Sequence, residues 1–200
     1  RFLRLVVPAL LLVIVGLAGM MAAAQRDPGD GVWSAGTPTE HTGLLTMLPY
    51  PVLLTDEGVA YLVVEMGKVG AAERLTPLAH GRVRLRGWTL QRNRQRMIEL
   101  DTGEDAAVRD AGTIRMVNLS APSRPVRLSG EILDSKCFLG AMKPGDGKGH
   151  KACATLCIDG GIPPALLTWD TLGRPRTVLL RAGTIEETIA LVRPYLGEPV

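Results

Sequence analysis

From Leu44 onward the chain alternates between short apolar runs and polar breaks, a pattern of strands rather than long helices. The runs are "LLTMLPYPVLLT", "VAYLVVEM", "RVRLRGWTL", "RMIEL", "TIRMVNL", "PVRLSGEIL", "PALLTWD" and "RTVLLRA". In "RVRLRGWTL", Val83, Leu85 and Gly87 fall on one face and Arg82, Arg84 and Arg86 on the other, the period of a half-buried strand. Turn residues separate the runs, with "RNRQ" between one pair and "TLGRP" between another. Many short strands with irregular connections predict a small barrel or sandwich. Gly87 in mid-strand predicts a bend of the kind found at a barrel corner. "PVRLSGEIL" (Pro125 to Leu133) echoes "RVRLRGWTL" (Arg82 to Leu90), which predicts two related β-units or one elaborated barrel.

Two segments carry the helical period instead. "GTIEETIALVRPYLG" opens with Thr184 and Glu187 in capping-box spacing and is limited by Pro194. Gly149 to Ile158 is bounded by Gly160, Gly161 and Pro163, which predicts a helix that stops there. The expected fold is therefore mainly β: one N-terminal transmembrane helix, then an exported OB-like barrel or a pair of small β-barrel units with two short helices.

The transmembrane expectation rests on "LVVPALLLVIVGLAGMMAAA", Leu5 to Ala24, which holds no charge. At about 1.5 Å per residue it extends roughly 30 Å, the thickness of a bilayer core. It is long for the apolar part of a signal peptide, although "AAAQ" offers a cleavage-like site. Arg1 and Arg4 precede it and the acidic, Gly/Pro-rich "QRDPGDG" follows, so the positive-inside rule puts the N-terminus in the cytoplasm. The organisation read from this is an anchor over 1–25, a linker over 26–43, a first β-unit over 44–121 and a second over 122–200. The location is the inner (cytoplasmic) membrane, single-pass, with the C-terminal part in the periplasm and lipid contacts through residues 5–24. Trp33 is placed to sit at the interface. The first residue is Arg1 rather than Met, and the closing "GEPV" has the pattern of an entry to a strand.

Composition removes several function classes. Net charge is +3 and aromatic residues are 4% of the chain, a poor supply of stacking platforms, so no nucleic-acid partner is expected. No P-loop, G-x-S-x-G or H-E-x-x-H pattern occurs, and no carboxylate pair sits in a context suited to acid–base work. The isolated chain is not expected to be an enzyme. His41 and His80 read as solvated loop histidines, and "NLS" at Asn118 as a chance glycosylation sequon. "TMLPYPVLLT" reads as an edge strand or a surface for docking another protein.

One stretch is chemically dense. "CFLGAMKPGDGKGHKACATLCIDGGIPP" holds all three cysteines and one of the three histidines. On a helix, His150, Cys153 and Cys157 at i, i+3 and i+7 share one face, and the glycine-rich loop can bring Cys137 back from a strand end. Three thiols and an imidazole suit zinc, copper or iron, while haem would need an axial ligand because C-x-x-C-H is absent. The alternative is a disulfide from Cys137 to Cys153 or Cys157, with one thiol left over. Cys153 and Cys157 at i, i+4 are too far apart to pair with each other. Lys136 lies next to Cys137, but neighbours on a strand face opposite ways.

The residues Gly130, Glu131, Asp134, Cys137, Phe138, Leu139 and Gly140, followed by His150, Cys153, Ala154, Cys157, Gly160, Gly161 and Pro163, resemble an exported bacterial family. Its signature is G-E-[IV]-x-D-x-x-C-[FY]-L-G … H-x-x-C-A-x-x-C-x-x-G-G-x-P. The resemblance implies that the cluster acts as a unit and adds no reaction. The expected function is a membrane-anchored periplasmic auxiliary subunit of a larger integral membrane complex, respiratory or otherwise redox. A metal-, haem- or thiol-handling assembly factor is the alternative.

Overall fold

The computed structural model of the chain describes residues 2–47, 50–113 and 123–200. Its first element, α1 (Phe2–Ala24), contains the whole charge-free run, with Pro8 in the second turn. Among the described residues nothing covers its apolar surface, and its 23 residues extend about 35 Å, enough for a bilayer core.

The strands that follow close into a barrel. In chain order they are β1 (Val32–Trp33), β2 (Thr39–Thr46), β3 (Val52–Thr55), β4 (Ala60–Val64), then helix α2 (Ala72–Leu75), β5 (Arg82–Arg92), β6 (Gln95–Leu100) and β7 (Ala107–Arg109). β2 pairs β3 and β3 pairs β4 antiparallel, β4 pairs β6 parallel, and β6 returns antiparallel to β5, which pairs β2. Five strands in this order, with a helix between the third and fourth, give an OB-type barrel. Leu45, Leu53, Val63, Val83, Leu85, Ile98 and Leu100 fill it, and Leu75 from α2 joins the same core.

β5 shows why its alternation is strict: Val83 and Leu85 are buried inside the barrel, while Arg82, Arg84 and Arg86 face outward. Gly87 is the point where β5 changes partner, facing Thr39 of β2 on one edge and Leu100 of β6 on the other. A Cβ there would lie 2.2 Å from the Glu99 carbonyl oxygen, so the corner needs glycine.

Three sequence expectations change. The stretch 26–43 is not a plain linker, because β1 and the start of β2 pair with β5. Backbone pairing at a sheet edge needs no apolar side chains, so this segment carried little hydrophobic signal. The echo between Arg82–Leu90 and Pro125–Leu133 is not structural. Residues 123–129 are exposed and outside any strand, and the second unit is an open sheet rather than a second barrel. The strand read over 113–119 and the sequon at Asn118 lie outside the described residues, apart from Thr113.

The second unit is a three-stranded antiparallel sheet, β10–β9–β8, made of β8 (Glu131–Asp134), β9 (Pro164–Trp169) and β10 (Pro175–Leu179). Helices α3 (Lys151–Asp159) and α4 (Ile185–Val192) complete it. The capping box at α4 forms as expected: Thr184 Oγ1 accepts from the Glu187 amide and the Glu187 carboxylate from the Thr184 amide. This unit packs on the outside of the barrel. Leu62 and Val64 of β4, Leu90 of β5 and Met97 of β6 share one buried cluster with Cys137, Leu139, Cys157 and Ile162. β4 and β6 are thus covered on both faces, as a parallel pair generally must be. Tyr50 lies in the same seam, 3% exposed, with its hydroxyl donating to the Leu180 carbonyl. Tyr50 and the strand after it are therefore internal rather than a docking surface, while Leu48 and Pro49 of that segment lie outside the described residues.

Candidate metal centre

The site is built where the turn after β8 meets α3. Asp134 ends β8, fully buried, and its Oδ1 accepts the Cys137 amide at 2.8 Å. That bond fixes the first turn of a short wide helix, Cys137–Ala141, and aims the Cys137 sulfur at α3. Gly140 closes this turn at φ 142° against the backbone of Val32 in β1, so barrel and turn meet with no room for a side chain.

The three sulfurs come together as the sequence suggested. Cys137 Sγ is 3.8 Å from Cys153 Sγ and 3.8 Å from Cys157 Sγ, and all three lie within 4.8 Å of one another. All three cysteines are free. The disulfide from Cys137 to Cys153 or Cys157 is not formed: its sulfur stands equally far from both partners, and pairing with either needs an approach of about 1.8 Å. Around a tetrahedral metal with bonds of about 2.3 Å to sulfur, the sulfur–sulfur edge is about 3.8 Å. The two sulfur–sulfur distances from Cys137 match that edge, and they also equal ordinary van der Waals contact between thiols.

His150 departs from the expected stripe. It closes a 3₁₀ turn, Lys148–His150, ahead of α3 rather than sitting within it. The tighter winding of about three residues per turn rotates it off the cysteine face. It is 4% exposed and its Nε2 lies 2.9 Å from Asp134 Oδ2. It thus groups with Asp134 and Cys137, within 4.8 Å, while Cys153 and Cys157 form the other group around Cys137. One carboxylate therefore positions both the Cys137 backbone and the His150 ring.

A residue that sequence reasoning passed over completes the site. Lys68, in the loop after β4, donates from Nζ to Cys153 Sγ at 2.7 Å and to Cys157 Sγ at 3.6 Å. It gets there by contact between backbones. The Gly70 amide donates to the Gly160 carbonyl at 2.8 Å, and a Cβ on Gly160 would lie 1.8 Å from the Lys68 carbonyl oxygen. The "GG" that reads as a helix stop also makes the space for this loop. The signal in the sequence was slight: one lysine between glycines in "EMGKVG".

Lys136 turns away from the thiols, although it stands in the helical turn after β8 rather than on a strand as expected, and it ties the same loop to the barrel. Its Nζ donates to the carbonyls of Glu65 (2.8 Å) and Gly67 (2.6 Å) and to Glu99 Oε1 of β6 (2.6 Å). His41 is not a loop histidine: it lies in β2, half-buried, with its ring 5.0 Å from that of Tyr61 in β4. Burial lowers its pKa.

Charge in the site is unevenly shared. The hydrogen bond with Cys157 raises the Cys137 pKa, and burial adds to it. The same bond lowers that of Cys157, helped by Lys68 and opposed by burial. Contact with Cys153 holds the Lys68 ammonium above its usual range. The shared bond and Lys68 thus favour the thiolate at Cys157 over that at Cys137. Cys137 and Cys157 are buried and Cys153 is partly open, so the cluster has one accessible side.

Comparison with protein-family models, with curated proteins and with solved structures returns no match for this chain.

Proposed function

We propose that this chain is a membrane-tethered OB-type module that holds one soft metal ion through the sulfurs of Cys137, Cys153 and Cys157, as an auxiliary subunit of a larger membrane complex. The observation that carries the reading is the pair of 3.8 Å sulfur–sulfur distances. Two of the three thiols come from one helix and the third from a turn pinned by Asp134, so the donor set is preformed. Thiolate donors favour zinc, copper(I) or iron–sulfur chemistry over hard cations. A ligand approaching on the Cys153 side completes a fourth position, because His150 is turned toward Asp134. The tether is α1, spanning the inner membrane with the barrel in the periplasm. The absence of catalytic motifs in the sequence fits a subunit better than a free-standing enzyme.

The test is metal analysis of the full chain purified in mild detergent under reducing conditions. About one equivalent of a thiophilic metal is expected, released in acid as the thiolates take up protons and lost in Cys153→Ser. Folded protein that stays metal-free when titrated with zinc and copper(I) would overturn the reading. Partner membership is read separately, by whether gentle extraction brings down large membrane proteins.

A second reading is favoured by the short Lys68–Cys153 contact: a thiol- or metal-handling assembly factor that exchanges its cargo through the exposed sulfur. It predicts a labile metal, or Cys153 alone trapped by a disulfide reagent.

A further inference from the structure

The β5–β6 and β9–β10 hairpins lie far apart in sequence but side by side in the fold. Gln95 Nε2, at the start of β6, donates to the Thr177 carbonyl of β10 at 3.0 Å. Between the hairpins lies a recess of about 420 Å³ lined by Asn93, Arg94, Gln95, Arg174, Arg176 and Thr177, with Pro175. Three of these residues are arginines and none is acidic. Asp170, beside the recess, meets Arg174 at 2.8 Å and Arg176 at 3.5 Å, and the lining itself carries three guanidinium groups and no carboxylate. Leu172 projects from the tip of the β9–β10 turn and is 74% exposed.

The segment that leaves α1 is fastened to these same two hairpins. Arg26 lies over the ring of Trp169, 5.4 Å from its centroid, where β9 enters its turn. Asn93 Nδ2, at the tip of the β5–β6 hairpin, donates to the Pro28 carbonyl at 3.0 Å. Arg26 lies two chain steps beyond Ala24 and Pro28 four. At a maximum of about 3.6 Å per residue these tethers reach roughly 7 and 14 Å. Polar headgroups add about 5 to 8 Å beyond the hydrocarbon on each side. The hairpin tips are therefore held at headgroup depth by covalent chain length.

We infer that the paired hairpin tips dock on anionic lipid headgroups of the membrane that α1 spans, with Arg94, Arg174 and Arg176 taking phosphate and Leu172 dipping toward the acyl boundary. This rests on the reading of α1 as an anchor and is independent of the metal centre. Arginine forks suit phosphate oxygens, and a basic surface carrying one exposed apolar side chain suits the interface. Docking would set the orientation of the barrel, and with it the open side of the cysteine cluster, relative to the bilayer.

The experiment is hydrogen exchange on the full chain in nanodiscs, either of phosphatidylcholine alone or with about 30 mol % phosphatidylglycerol. Amides of both hairpin tips, 93–95 and 171–174, are expected to gain protection only with the anionic lipid. The gain should disappear in roughly 0.5 M salt, where charges are screened within about 4 Å. Arg94→Glu, which alters only the β5–β6 tip, should reduce protection of the 171–174 turn by about fivefold or more in anionic discs and leave it unchanged in phosphatidylcholine. Equal protection in the two lipids overturns the proposal, and so does an Arg94→Glu effect confined to 93–95. If the anchor reading itself is wrong, the chain will fail to enter nanodiscs at all, which is a distinct result.

Discussion

Replacing Lys136 with methionine isolates the bond that holds the barrel to the turn carrying Cys137. Methionine keeps nearly the whole aliphatic stem, so no cavity opens and the change removes only the ammonium. That ammonium has three acceptors, Glu65 O, Gly67 O and Glu99 Oε1, at 2.6 to 2.8 Å. Lys136 and Glu99 are 3% and 5% exposed, so water replaces little of what is lost at the carboxylate. Breaking one side of a buried ion pair costs about 3–5 kcal/mol, because the remaining charge is stranded. The two loop carbonyls lie closer to solvent and add less. Against a typical stability of about 5–15 kcal/mol, and at about 2–4 °C per kcal/mol for a protein of this size, the midpoint should fall by about 6–20 °C. Thermal unfolding of the full chain in detergent, followed by tryptophan fluorescence, reads this directly. Lys136→Met with Glu99→Leu removes both charges and should recover most of the loss. A single variant within about 1 kcal/mol of the parent would refute the reasoning, as would a double variant less stable than the single.

Other consequences are sharper locally. Gly160→Ala places a Cβ 1.8 Å from the Lys68 carbonyl oxygen; the 65–70 loop must retreat by more than 1 Å to reach ordinary contact, and Cys153 should react faster with iodoacetamide although no thiol has changed. In chelator-treated parent protein, Cys153 should be alkylated first, with Cys137 and Cys157, 4% and 1% exposed, reacting only on unfolding; three equal rates would contradict the packing. Asp170 is lowered to about 2, chiefly by the Arg174 amide, below an unfolded value near 3.9. Its contribution to the β9–β10 turn is therefore complete above about pH 4 and fades as pH falls through 2, which carboxyl and amide NMR shifts over pH 5 to 1.5 would follow. Phe138→Ala, at a position with no exposure, should cost about 3–5 kcal/mol in urea unfolding.

What the sequence made legible is whatever depends on neighbours along the chain. The uncharged run of α1, the capping box of α4, the alternation of β5 and the corner at Gly87 each follow from local spacing. The gathering of the three cysteines was visible too, since α3 brings two of them and the loop is long enough for the third. The misreadings share a cause. His150 was carried one turn too far because a 3₁₀ turn and an α-helix look alike in residue type. Pro125–Ser129 copied a strand pattern but has no partner strand among the described residues, and alternation cannot show whether a partner exists. Tyr50 reads as a surface aromatic until the second unit is laid over it. Lys68 was missed because its approach is set by Gly70 against Gly160, a backbone contact between segments 90 residues apart with no side chain to announce it.

The divided origin of the site decides how it can be taken apart. All three thiols, with Asp134 and His150, lie in the second unit, while Lys68 and the apolar cover of Leu62, Val64 and Met97 come from the barrel. A piece comprising residues 123–200 would therefore own every sulfur and still expose the face of Cys137, Leu139, Cys157 and Ile162 to water. At about 25 cal/mol per Å² of apolar surface, uncovering several such side chains removes more free energy than a three-stranded sheet with two short helices can spare. The barrel piece, left with Met97 and Val64 bare and Glu99 without Lys136, is no better off. Added metal could gather the sulfurs in the isolated piece, but it cannot supply the missing cover. Mixing the two pieces should restore both stability and the slow alkylation of Cys157 together. Recovery of one without the other would mean that barrel and thiol cluster are not the single folding unit their shared core implies.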